Sequence, residues 1–167
     1  VSWLSLAISV ALFVAVRDGG AIEYAFGNWP PPWGIVFVLD ALNTLVLVLV
    51  SGIAAVVMPY AWRSVALEIP ADRQAIFFTV ALLCLAGLLG MLATGDAFNL
   101  FVLLEISSLA TYTLIALGRD RRALTAAYQY LIMGTIGATF ILIGVGLLYM
   151  LTGTLNMADL AARLPAL

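Results

Sequence analysis

The chain has 167 residues, of which 65% are hydrophobic and only 10% are charged, with a formal net charge of −2. A soluble domain of this size is nearer half apolar and about a quarter charged, so these side chains cannot cover a water-facing surface. With no His and one Cys, the chain has no means of His haem ligation, His-bearing zinc binding, internal disulfides or Ser-His-Asp chemistry. All seven basic residues are Arg, spread between apolar runs, and they form no basic stripe that would suit a nucleic acid.

A spanning helix needs roughly 20 mainly apolar residues. The predicted elements, in chain order, lie at about 1–16, 35–58, 74–93, 98–117 and 128–151, and a further helix starts after 156. No stretch alternates with period two for long enough to suggest a membrane barrel. The expected fold is therefore all-α, a polytopic transmembrane bundle of about five spanning helices forming a single membrane domain over 1–167. The first run lacks a basic flank and a small-residue cleavage site, so it does not read as a signal peptide.

The connections punctuate this pattern. Residues 17–34 hold Gly19, Gly20, Gly27 and Pro30-Pro31-Pro32, and Trp29 and Trp33 bracket the prolines as in an interfacial aromatic belt. Residues 59–73 read as a second polar loop, and Thr94-Gly95-Asp96 as a very short one in which Asp96 caps the next helix. Asp40, near a boundary, suits helix entry or loop anchoring. Asn156 is placed to cap a new helix, with Asp159 reaching back. Cys84, inside an apolar run, reads as a buried structural thiol.

Loops alternate sides. One side holds Arg63, Arg73, Arg119, Arg121 and Arg122, and the other holds Arg17 and Arg163. The positive-inside rule puts the first side in the cytoplasm and Val1 at the cytoplasmic end of its helix. The location expected is a bacterial inner membrane.

Glu105 is the most informative residue. If its helix begins near Ala97, it lies about 12 Å deep, close to mid-membrane. An ionised side chain there costs roughly 2.5–3.5 kcal/mol on insertion scales, which suggests a partner, water or a proton. Ser108 at i+3 and Tyr112 at i+7 extend a polar face, Ser107 and Thr111 flank it, and Gln129 opens the last helix within Tyr128-Gln129-Tyr130. The competing reading of Glu105 is helix glue through a hydrogen bond, and that of Gln129 is an interfacial anchor. Gly134, Gly137, Gly144 and Gly146 imply close helix packing. No cofactor or metal site is expected.

The segment Gly95-Asp96-Ala97-Phe98-Asn99-Leu100-Phe101-Val102-Leu103-Leu104-Glu105-Ile106-Ser107-Ser108-Leu109 resembles the G-D-x-F-N-L-F-V-x-x-E-I-S-S-L stretch of the antiporter-like membrane subunits. These are the large subunits of Mrp-type cation/proton antiporters and their relatives in respiratory complex I and membrane-bound hydrogenases. Tyr130–Gly134, Thr152–Leu160, Trp29–Ile35 and Leu39–Leu42 are similar to other segments of that family. The resemblance implies about fourteen helices built as two inverted five-helix repeats, with this chain a fragment holding roughly the second to the sixth. It implies that Glu105 is the proton-channel glutamate of the fifth helix, partnered by a Lys on the seventh. This chain has no Lys. At the position of Gln129 family members carry Lys or, in the Mrp-like branch, Gln.

The implied function is a proton-translocating subunit of a multi-subunit sodium/proton antiporter, a transporter rather than an enzyme, with Glu105 as proton relay. The expected partners are other membrane subunits, protons and sodium, and the lipid bilayer. The alternatives are a proton-pumping subunit of a complex I or hydrogenase-type NADH:quinone oxidoreductase, and a structural membrane scaffold.

Overall fold

The computed structural model describes residues 1–166. Its elements are α1 (Ser2–Gly19), β1 (Ile22–Ala25), β2 (Val36–Leu39), α2 (Ala41–Glu68), α3 (Ala71–Ala93), α4 (Ala97–Ala116), α5 (Arg121–Thr152) and the short α6 (Met157–Arg163). Among the described residues, five helices, α1 to α5, are long and apolar enough to cross a membrane. Helices adjacent in sequence pack on one another, α1 on α2 and so on to α5. The architecture is an all-α membrane bundle.

Small residues set the packing, as expected where lipid is as apolar as the helices and only close approach favours association. The buried stripe of α2 is Thr44, Leu47, Ser51 and Ala55, spaced at three and four residues along one helix face. Thr44 and Ser51 are fully buried because their hydroxyls donate back to the carbonyls of Asp40 (2.7 Å) and Leu47 (2.6 Å). Between α3 and α4 the backbones nearly touch. A Cβ added at Gly87 would lie 2.9 Å from both the Leu103 carbonyl oxygen and the Ser107 nitrogen.

Three boundaries differ from the sequence reading. The link before α2 is not wholly irregular. Ile22–Ala25 pairs antiparallel with Val36–Leu39, Ile22 opposite Leu39 and Ala25 opposite Val36. The β-branched and aromatic run from Ile35 to Val38 therefore ends a hairpin instead of starting a helix at 35. The helix begins at Ala41 because the Asp40 carboxylate accepts from the Asn43 N–H at 2.7 Å, while the Asn43 amide donates to the Val38 carbonyl at 3.0 Å.

The expected loop at 59–73 shrinks to Ile69 and Pro70. Pro59 lies inside α2, where it removes a single backbone donor and the remaining turns carry on. The helix stops where a residue precedes a proline, with Ile69 in extended conformation (φ −113°, ψ 134°) before Pro70. The last spanning helix starts at Arg121 rather than 128. The Asp120 carboxylate accepts from the Arg122 N–H at 3.0 Å, and the residues that follow favour helix. Asn156 does cap α6, accepting from the Asp159 N–H at 3.1 Å. Asp159 does not reach back. Its carboxylate pairs with Arg163 at 2.9 Å, and that bond holds its pKa below the ordinary value of 3.8.

The α3–α4 contact yields a prediction. Gly87→Val should destabilise the protein by about 1–3 kcal/mol through overpacking, read as a lower melting temperature in detergent. Gly52→Ala is the control, since an added Cβ there meets only Leu6 at 3.8 Å. Equal melting of the two variants would refute close backbone approach at Gly87.

Candidate functional site

Glu105 is the ninth residue of α4, whose span is 20 residues. The rise along the helix puts it about 12 Å from one end and 16 Å from the other. Its side chain is half-buried. It takes part in neither ion pair found among the described residues, Arg73–Asp72 and Arg163–Asp159. An acid at this depth with no cation beside it is the feature that any functional account has to explain.

The polar residues of α4 divide between two seams. Tyr112 lies two turns beyond Glu105 and about 20° round the helix from it. The Tyr112 ring is buried edge-on to Tyr130 of α5, with centroids 5.2 Å apart and planes at 84°. Its hydroxyl sits against Gly134, where any added Cβ would overlap it. Glu105 is thus on the side of α4 that turns toward α5. Ser108, half-buried, is one turn from Glu105 on the same side.

Gln129 is not brought to this group. It is the ninth residue of α5 rather than the first, and it is exposed. Its neighbour Tyr130 faces α4, so Gln129 points about 100° away. Tyr112 meets Gly134 on antiparallel helices, so the level of Glu105 falls near Ile141, roughly 18 Å along α5 from Gln129.

Ser107 and Thr111 belong to the other seam, against α3. The Cys84 sulfur is 3.8 Å from the Ser107 hydroxyl and 3.5 Å from that of Thr111, which donates to the Ser107 carbonyl at 2.9 Å. These hydroxyls help α3 and α4 approach and do not flank Glu105.

At the Glu105 end of α4 lies a buried polar knot that sequence reasoning saw only in halves. The Asp96 carboxylate, 7% exposed, accepts from the Asn99 N–H at 2.7 Å. The Thr94 hydroxyl accepts from the Asn99 amide at 2.9 Å and the Asp96 N–H at 3.3 Å. Thr154 repeats the second contact, its hydroxyl accepting from the Asn156 N–H at 3.3 Å. The two turns pair as antiparallel backbone: the Ala97 N–H donates to the Leu155 carbonyl and the Met157 N–H to the Gly95 carbonyl, both at 2.9 Å. Gly95 also donates its N–H to the Val36 carbonyl of β2 at 2.8 Å. The signal in the sequence was the shared Thr-x-Asp/Asn spacing at 94–96 and 154–156. Asp96 and Asp40 are both helix caps here.

Residues 94–166, which carry the knot, Glu105 and α5, match the family described as NADH:quinone oxidoreductase/Mrp antiporter, transmembrane. Over this stretch the chain is similar to the antiporter-like membrane-subunit family. It is 52% identical over 161 residues to an NADH-quinone oxidoreductase subunit of Desulforudis audaxviator, covering 95% of this chain and 31% of that protein. To a Na+/H+ antiporter subunit of Alkalihalophilus pseudofirmus it is 35% identical over 158 residues, 95% of this chain and 31% of that one. Among solved structures, the membrane-bound sulfane sulfur reductase, an archaeal respiratory membrane complex, superposes with a TM-score of 0.87 at 38% identity, covering 96% of this chain and 32% of its own. The chain thus spans about a third of the length of the relatives it matches.

The knot carries a prediction. Asp96→Ala removes the cap of α4 and leaves the part-buried Asn99 N–H unpaired, at a cost of about 1–2 kcal/mol. Asp96→Asn keeps an acceptor and should restore most of it. Thermal unfolding in detergent measures both, and equal loss in the two variants would show that the charge, not the cap, matters.

Proposed function

We propose that this chain is part of a proton-translocating subunit of a multi-subunit sodium/proton antiporter, in which Glu105 binds and releases the proton. The observation that carries the reading is the half-buried, ion-pair-free carboxyl near the middle of an unbroken spanning helix. Desolvation favours the protonated acid, and a cation brought nearby favours the ionised one. A group held between those two influences takes up and gives off a proton as its surroundings change. Ser108, one turn away on the same side, is a hydroxyl placed to serve such transfer, and Tyr112 closes the seam two turns from Glu105. The sodium assignment draws on the name of the 35% identical relative, a Na+/H+ antiporter subunit. Other membrane subunits complete the machine.

A second reading draws on the 52% identical relative, named for NADH-quinone oxidoreductase. It keeps Glu105 as relay and replaces the sodium gradient by electron transfer in a separate arm. Vesicles holding the assembled complex separate the two. Sodium-driven proton movement without NADH or quinone supports the antiporter, and proton movement only on adding both supports the redox-driven complex.

Glu105→Gln tests the relay in either setting. It preserves shape and hydrogen bonding but cannot ionise, so transport should fall to background at matched expression. Glu105→Asp should retain partial activity, and Glu105→Ala should insert normally because it relieves the burial of a charge. Wild-type transport by Glu105→Gln would promote the scaffold reading instead.

The Arg asymmetry sets the orientation, with the Arg119–Arg122 turn in the cytoplasm of a bacterial cell. Cysteines introduced between Gly20 and Trp29 should react with an impermeant reagent added outside, while those at 119–122 should react only after permeabilisation. The reverse pattern would invert the topology.

A further inference from the structure

At the Arg-rich end, the α2–α3 and α4–α5 turns enclose a cavity of about 360 Å³ whose lining includes Glu68, Ile69 and Arg119. Glu68 and Arg119 are both exposed, and neither enters the ion pairs found among the described residues. The Glu68 carboxylate accepts a hydrogen bond of 3.3 Å from the Ser64 hydroxyl. One acid and one base thus share a cavity without neutralising each other.

The cavity shares Phe77 and Leu114 with a second groove, of about 410 Å³, cut between α2, α3 and α4. Apart from the Cys84 thiol and the Met58 thioether, that groove is lined by hydrocarbon side chains, from Val50 to Ala61 on α2 and from Phe77 to Leu88 on α3. Each stretch rises about 16 Å, close to half of a hydrocarbon core about 30 Å thick. The groove is therefore one leaflet deep, and its end nearest the Arg-rich turns adjoins the Glu68–Arg119 cavity.

We propose that the groove and cavity together bind one zwitterionic amino-phospholipid of the leaflet on the Arg-rich side, with an acyl chain in the groove, the phosphate at Arg119 and the ammonium at Glu68. The charges select the headgroup. An anionic lipid would satisfy Arg119 but set its phosphate near the Glu68 carboxylate with no cation between. A lipid with an amine beyond its phosphate meets both. Cys84 lines the groove and touches Ser107 and Thr111, so the chain would reach the α3–α4 seam. The site is independent of the proton-relay reading.

The test uses the intact complex in lipid nanodiscs carrying a trace of phosphatidylethanolamine with a photoreactive acyl chain. Cross-links should fall on peptides within 50–88. Unlabelled phosphatidylethanolamine should compete about fivefold better than phosphatidylglycerol of the same chains, the scale of one charge near a membrane surface. Glu68→Gln should erase that preference. Arg119→Gln should lower the yield about fivefold, and Ala81→Phe, which fills the groove, should lower it without altering the preference. Equal competition by the two lipids in the wild type, or an Ala81→Phe variant with undiminished yield, would overturn the proposal. So would a photoreactive side chain at Ala81 that captures a neighbouring subunit instead of lipid.

Discussion

Two backbone hydrogen bonds between the α3–α4 turn and the α5–α6 turn organise most of this molecule. A peptide group left unpaired in or beside hydrocarbon costs several kcal/mol, so turns at this depth need partners. Gly95, Ala97 and Met157 find them in each other's segments and in β2. The hairpin, the start of α4 and the end of α5 are thereby gathered at one end of the bundle. Thr94, Asp96, Thr154 and Asn156 can be buried there because their side chains cap or bridge the same turns. With the first turn of α4 pinned at Asp96, the depth of Glu105 is a matter of counting residues.

The same logic divides the helix faces. Where α4 meets α3, Gly87 and the small hydroxyls permit near-contact of backbones. Where α4 meets α5, contact depends on one large ring seated on one glycine, Tyr112 on Gly134. The first seam is closed along its length by small side chains. The second is closed by an aromatic plug on the Arg-rich side of Glu105.

How much of this the sequence disclosed varies with the physics involved. The five spans were legible because a lipid-facing helix must be apolar all round, and that signal survives without neighbours. The Asp96 and Asn156 caps were legible because capping is local. The ends of α2 and α5 were not. A polar, Arg-containing stretch such as 60–68 or 121–127 reads as a loop by hydropathy, although helix continues through it into water. The hairpin was missed because its partners are separated by the proline run, and pairing at that range leaves no periodicity in a four-residue strand. The Glu105 face was half legible. Helical spacing put Ser108 and Tyr112 beside it, but assigning Gln129 to that face required the register of α5 against α4, which only tertiary contact reveals.

The unequal helix lengths matter for the membrane itself. α4 has 20 residues, while α2 has 28 and α5 has 32, so rises of roughly 30, 42 and 48 Å lie side by side. The knot aligns their ends on one face, and the surplus of the longer two must tilt or emerge on the other. Of these three, α4 is then the one whose length matches a hydrocarbon core of about 30 Å with nothing to spare. In a thicker bilayer the longer helices adjust by standing upright, whereas α4 must thin the lipid around it at a fraction of a kcal/mol per ångström. Of these three, the helix that carries Glu105 is thus the one most strained by membrane thickness, and the setting of that residue depends on the lipid that surrounds it.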